Sequence, residues 1–394
     1  MAMESPFLLF KVECPICKTI NEFETIRVGA YAEEDRDTDF CPRNIKWRFP
    51  RYQAYNPLVF FTGTCTNCYY SREFTNAYKE WKNDVNFKTY RLKTVKSKHL
   101  DQLAAADSVV KLVGTAIDVN RYPNESAILK LLLAIYDEQL ADHYSRLDVG
   151  RFYLRVAWVF RDMEHTENPN LILLREFMRE IEESRGRLTE GAAGVRSDAD
   201  AFAETIHSHF NSSQLTADIK AQMLSFGERY DQQIRAVHDR VSAMEQQISD
   251  LTSLIAEYRT TLIGNESGSG QVPFGQYPSF VEFLHRVQRV WSGAVTNERE
   301  ALERSVQYYK EAFANGKDIA PGNQQIQASY LIAELSRRIG DFDEAKQYFT
   351  STIKSGQEFI YQNRHDSSRT ALARKILELA IEQGRMNLAA SRPA

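Results

Sequence analysis

Two cysteine pairs, Cys14-Pro-Ile-Cys17 and Cys65-Thr-Asn-Cys68, carry the chain's most specific chemistry. Thiolates two residues apart can reach one metal ion, and two such pairs complete the closed four-sulfur shell of structural zinc. One zinc ion held by Cys14, Cys17, Cys65 and Cys68 is therefore expected, in a structural role. No histidine precedes His99, which disfavours an open catalytic zinc built with imidazole. A fifth cysteine, Cys41, lies in Arg36-Asp37-Thr38-Asp39-Phe40-Cys41-Pro42. Three readings of it stand side by side: a buried small hydrophobe, a replacement metal ligand, or a reactive thiol. Asp37 and Asp39 read as turn-forming side chains, with support for the metal site or catalysis as the alternatives.

No other catalytic or cofactor-binding residues emerge. The chain has no phosphate-cradling glycine loop, no G-x-S-x-G elbow and no H-E-x-x-H, and its eight histidines are scattered. It is expected not to be an enzyme. Two stretches mix cations with aromatics: 43–52, with Arg43, Lys46, Trp47, Arg48, Phe49, Arg51 and Tyr52, and 79–98, with Lys79, Trp81, Phe87, Lys88, Tyr90 and Arg91 among others. Such mixtures suit nucleic acid, because cations neutralise phosphates while aromatic faces stack on bases. They equally suit a small module whose aromatics pack inward beneath a solvated cationic rim.

The elements that must position these residues change character along the chain. From Phe7 to about Tyr78 short extended segments alternate with turns, including Phe23–Tyr31 and the β-rich run Leu58–Thr64. Each Cys pair should form a tight knuckle at the end of a hairpin. Such a knuckle favours Gly after its second Cys, where the backbone turns left-handed, but Lys18 and Tyr69 stand there. From Leu100 the period becomes helical, with Ala127–Tyr136 behind Pro123, then Val149–Met163 and Leu171–Ile181. Gly191-Ala-Ala-Gly194 reads as a joint, Ser197 and Asp200 as the start of a new helix, and Asn211-Ser212-Ser213 as an interruption. Ile234, Val237, Val241, Met244, Ile248, Leu251, Ile255, Tyr258 and Leu262 alternate three and four apart, a coiled-coil seam. Its partner is either a second copy or the 199–230 region folding back. Gly264–Pro278 reads as a linker. Helices resume over Phe280–Trp291, Glu298–Ala314, Gln324–Ile339, Asp343–Ile353 and Arg369–Gln383. Within Tyr330–Ile353, small Ala333 and Ala345 and the break at Gly340 follow the tetratricopeptide pattern.

CPIC, then RDTDFC, then NPLVF shortly before CTNCYY resembles the bacterial family known as domain of unknown function 2225. The resemblance covers roughly the first half of the chain and implies a Cys-rich N-terminal module followed by tetratricopeptide-like helices. By resemblance, Cys14, Cys17, Cys65 and Cys68 match the family's two Cys pairs, and Arg36, Asp37, Asp39 and Cys41 its central motif. Tyr69 departs where the family tends to have Gly, and the second pair lacks the usual Pro. No activity comes with the resemblance.

The expected fold is mainly α with a small β, zinc-ribbon-like N-terminal module, and tetratricopeptide-like hairpins interrupted by a long coiled-coil helix. The expected domains are a zinc-binding module (1–99), a tetratricopeptide-like helical region (100–190), a long coiled-coil helix (197–263), a linker (264–278) and further tetratricopeptide-like repeats (279–394). The 394-residue chain, 26% charged with net charge -4, has ordinary soluble composition and no polyanion-binding charge overall. The apolar run Phe7–Phe10 is too short for a signal-peptide core, and no apolar run reaches the length of a membrane span. Cysteines spaced as metal ligands favour a reducing, cytoplasmic setting. These features lead to a non-enzymatic scaffold, with protein partners on the helical repeats and homo-oligomerisation through 234–262. The alternative is a nucleic-acid binder using stretches 43–52 and 79–98.

Overall fold

The computed structural model describes residues 5–165, 169–210, 215–263 and 273–391. The extended segments near the start form antiparallel two-stranded hairpins. β1 (Phe7–Glu13) pairs with β2 (Ile20–Ile26), β3 (Tyr31–Arg36) with β4 (Pro42–Trp47), and β5 (Thr62–Thr64) with β6 (Ser71–Glu73). In the first hairpin Phe10 stands opposite Phe23, so aromatic side chains from both strands meet on one face. The expected strand over Leu58–Thr64 is half right. Pro57–Phe60 is a turn of 3-10 helix, because Pro57 fixes φ and the Asn56 side chain accepts from the Leu58 N–H at 3.0 Å. Only Thr62–Thr64 pairs.

The remaining structure is helical: α1 (Asn76–Lys79), α2 (Leu92–Ala104), α3 (Val109–Gly114), α4 (Pro123–Gln139), α5 (Arg146–His165), α6 (Pro169–Phe210), α7 (Ala217–Ile263), α8 (Phe280–Val290), α9 (Glu298–Asn315), α10 (Asn323–Ile339), α11 (Phe342–Gln362) and α12 (Ser367–Ala390). They fall into two compact units, one made from residues up to 166 together with those from 274 onward, the other from 167–273.

In the first unit, α4 is buried along most of its length because every residue of Ala127–Ile135 except Lys130 is apolar, and Lys130 Nζ donates to the Val59 carbonyl. It packs on α5, and α5 packs on α9. Gly150 permits that second contact: a Cβ there would lie 3.2 Å from the Tyr309 ring, and its carbonyl accepts from Ser305 Oγ at 2.9 Å. The helices α9, α10, α11 and α12 then pack each against the next. Gly340, at φ 91°, ends α10, the Asp341 side chain caps α11, and Ala333 and Ala345 are fully buried between the helices. The end of the expected linker is anchored: Phe274 is buried against the Tyr122 ring at 4.7 Å. Residues 264–272 of that linker, and the expected interruption at 211–213, lie outside the described residues.

In the second unit, α6 and α7 run antiparallel. Lys220 lies over the Phe210 ring at 5.7 Å, while Phe202, two turns earlier, meets Tyr230 at 4.6 Å. The joint expected at Gly191–Gly194, and the new helix expected after it, do not appear: α6 continues unbroken for 42 residues. Each Gly costs about 1 kcal/mol in a helix interior, which the good helix formers around it and the packing on α7 offset. Among the described residues, no helix is long and apolar enough to cross a membrane.

Candidate metal centre

The two knuckles have the same hydrogen-bond pattern. Cys14 N–H donates to Thr19 O at 2.8 Å and Lys18 N–H to Cys14 O at 3.1 Å; Cys65 N–H donates to Tyr70 O and Tyr69 N–H to Cys65 O, both at 2.9 Å. One knuckle joins β1 to β2 and the other β5 to β6. Lys18 and Tyr69 occupy the left-handed region, at φ 67° and 64°, the conformation that would have favoured Gly. Contacts stabilise both residues there. Lys18 lies 4.3 Å over the Trp81 ring and pairs with Glu13. Tyr69 packs on Gly114, where a Cβ would fall 2.2 Å from the ring.

The knuckles bring Cys14, Cys17, Cys65 and Cys68 together, with all four sulfurs within 4.8 Å of one another. Cys14 Sγ lies 3.6 Å from Cys68 Sγ, and Cys17 Sγ 3.5 Å from Cys65 Sγ. Four sulfurs around a zinc ion at about 2.3 Å would stand about 3.8 Å apart, so the cluster can hold such an ion. Cys14, Cys65 and Cys68 are fully buried, while Cys17 is partly exposed. Hydrogen bonding with Cys65 pushes the Cys14 thiol up to about 12, with burial adding to the rise; bonds from Cys14 and Cys68 hold Cys65 well below the usual thiol range. Four thiolates packed this closely repel one another unless a cation shares the site. Asn21 steadies the second knuckle, donating to Cys65 Sγ at 3.4 Å and accepting from Thr66 N–H at 2.9 Å.

Beside the sulfurs lies a buried pair that no sequence pattern marks. His99 on α2 is fully enclosed, with Nε2 2.8 Å from the Cys68 carbonyl and Nδ1 2.7 Å from Asp137 on α4. Asp137 also accepts from Ser71 N–H at 2.7 Å. Burial opposes protonation of His99, but Asp137 holds its pKa above the ordinary value. This chain of contacts ties the second knuckle to two helices. Only the fold brings His99 and Asp137 together, since no periodicity links residues on separate helices.

The RDTDFC turn lies elsewhere, docked on the helices. Asp39 is fully buried and receives Arg161 of α5 at 2.8 Å and Trp158 Nε1 at 3.2 Å. Asp37 receives Arg161 at 3.1 Å, Arg338 of α10 at 2.7 Å and Arg43 at 2.5 Å. Thr38 Oγ1 donates to the buried Glu334 at 2.5 Å, and Tyr330 donates to the Thr38 carbonyl at 2.7 Å. The carboxylates thus do more than form a turn: they make the ionic anchor between the β hairpins and α5 and α10. Cys41 is buried outside the sulfur cluster, and burial together with Asp39 pushes its thiol up to about 12. That is the environment of a packed small hydrophobe.

The two basic, aromatic stretches turn most of their rings inward. Trp47 packs on Phe7, Tyr52 and Phe60, and Trp81 and Phe87 are buried. Their cations line the rim: Lys46 pairs with Glu34, Lys82 with Glu13 and Lys98 with Asp142. Tyr90 is exposed.

A mainly helical protein whose N-terminal β hairpins converge four cysteines into one metal-capable cluster is the class defined by this fold and site. The chain belongs to the family of uncharacterised proteins conserved in bacteria termed DUF2225, whose model matches residues 9–193 and 288–372. No curated protein and no solved structure matches it.

Proposed function

We propose that the protein is a non-enzymatic scaffold of a reducing, cytoplasmic compartment, with one structural zinc ion at Cys14, Cys17, Cys65 and Cys68 and protein partners on its C-terminal helices. The observation that carries this reading is the succession of α9, α10, α11 and α12, each packed on the next through small buried residues. Tetratricopeptide-like stacks of this kind cannot bury their faces singly and present extended surfaces for peptides or helices. The zinc ion would close the two knuckles and tie the β1–β2 hairpin to the β5–β6 hairpin, while the Asp37–Asp39 anchor belongs to the β3–β4 hairpin that lies between them in sequence.

The α6–α7 pair reads as an antiparallel coiled coil that leaves half its seam open. Ile234, Val241 and Ile248 are half-buried and Ile255 is buried, whereas Val237, Met244 and Leu251 are 38%, 52% and 39% exposed. The seam positions Tyr258 and Leu262 have side chains outside the described residues. A second copy is the natural cover for the exposed line, because the seam repeats identically on it.

Affinity purification of the tagged protein from its own cells, with and without nuclease, tests the scaffold reading. Protein partners should persist through nuclease. A partner set that collapses with nuclease would establish the nucleic-acid alternative, with Tyr90 and the rim cations as the contacts. The metal is tested separately. Purified protein should carry about one zinc per chain by elemental analysis. Cys14→Ser or Cys65→Ser should lose it and loosen the N-terminal hairpins, and zinc retained in both variants would show the ligand set to be wrong.

A further inference from the structure

Helix α5 carries four arginines, and three of them are neutralised: Arg146, at its start, pairs with Glu311 of α9 at 3.3 Å. Arg151 pairs with Asp148 at 2.8 Å and Arg161 with Asp37, Asp39 and Glu298. Arg155, between them, has no carboxylate of the described residues within ion-pairing distance. Its guanidinium donates to the Arg151 carbonyl at 3.1 Å and lies 4.3 Å over the Phe61 ring. Burial lowers its pKa, the sign of a cation whose hydration has been removed without a full replacement.

Arg155 lines a cavity of about 490 Å³ between the β3–β4 hairpin, the Gln53–Phe61 segment and α5. The size is that of a small-molecule site. Tyr55, Leu58, Phe61 and Trp158 give it apolar, largely flat walls. Glu33, paired with Arg36 at 2.7 Å, and Asp162 also border it, and the lining offers a ligand one cation without a carboxylate of its own, so its charge favours a single negative group over a dianion. Arg43 and Arg161, the other cations on the wall, are already committed to Asp37 and Asp39. The Cys41 thiol on the same wall is held protonated, so the cavity has the makings of a binding site without a nucleophile.

We infer that this cavity binds a small organic monocarboxylate with an apolar or aromatic body, the carboxylate seated on Arg155 and the body against Tyr55, Leu58 and Trp158. A guanidinium presents paired donors to a carboxylate, and a partly desolvated one gains most from acquiring its counter-charge. The site is independent of the cysteine cluster and of the partner-binding reading.

Ligand-observed NMR on the full-length, metal-loaded protein tests this with benzoate, indole-3-acetate and hexanoate, the neutral amide of each, and phenyl phosphate. At least one acid should bind, its amide should bind at least about tenfold more weakly, and Arg155→Gln should weaken the acid to the level of the amide. Saturation by none of the acids, equal binding of acid and amide, or unchanged acid binding in folded Arg155→Gln would each overturn the assignment. Tighter binding of phenyl phosphate than of any acid would overturn the choice of a monoanion. If Arg155→Gln does not fold, the comparison of acid with amide on the unaltered protein decides by itself.

Discussion

At the scale of single residues, the decisive groups are charged and hidden. Asp39 and Glu334 are fully buried, and each is tolerable only because arginines reach it. Arg161→Ala would leave Asp39 without its main counter-charge and is expected to cost about 3–5 kcal/mol in denaturant unfolding. A loss below about 1 kcal/mol would mean that water or Arg338 replaces it. Asp37 gives the anchor a pH dependence. Burial by itself would raise the Asp37 pKa, but Arg43 and Arg338 hold it well below the usual 3.8. A depressed carboxylate contributes stability above its unfolded pKa, and that contribution is lost as pH falls through its folded value. Stability attributable to Asp37 should therefore be intact at neutral pH and decline progressively below about pH 4. Asp37→Asn should be less stable than the parent at pH 7 and should lose less on acidification. Parallel acid-stability curves for the two proteins would remove Asp37 from that role, whatever the metal site does over the same range.

At the scale of elements, each knuckle relies on its surroundings as much as on its sulfurs. Gly114→Ala would drive a methyl into the Tyr69 ring and is expected to destabilise by about 1–3 kcal/mol, with weaker zinc retention against a chelator. Chelator resistance equal to the parent's would show that Tyr69 and α3 do not support the second knuckle. The cysteine spacing made the convergence of the four sulfurs readable because two thiols with a two-residue gap have a short-range geometry of their own. The helices from Pro123, Glu298 and Asp343 were readable for a similar reason: start signals and apolar periodicity are local. The His99–Asp137 pair and the Arg161 and Arg338 anchors were not, since a charged residue on a helix looks the same in sequence whether it meets water or a buried carboxylate. The glycines at 191 and 194 misled for the opposite reason. Gly permits a joint without requiring one, and nothing lies within 4 Å of where a Cβ would be at either position.

At the scale of the whole molecule, one compact unit is made from both ends of the chain, with α6 and α7 forming the unit between them. The family match breaks over 194–287, mostly within that second unit. Replacing 167–273 by a long Gly/Ser linker is expected to leave zinc content and cooperative melting of the first unit intact and to abolish self-association in analytical ultracentrifugation. Loss of zinc or of the melting transition would show that the first unit cannot fold without the α6–α7 pair. The same division sets an order in time. Asp37 and its partner Arg338 are 301 residues apart, so during synthesis the β3–β4 hairpin emerges long before the helix that completes its anchor. At about 5–20 residues per second that delay is about 15–60 s. For that interval Asp37 and Asp39 have only Arg43 and, once α5 has emerged, Arg161 as counter-charges, and the α10 surface on which their turn will dock has not yet been made.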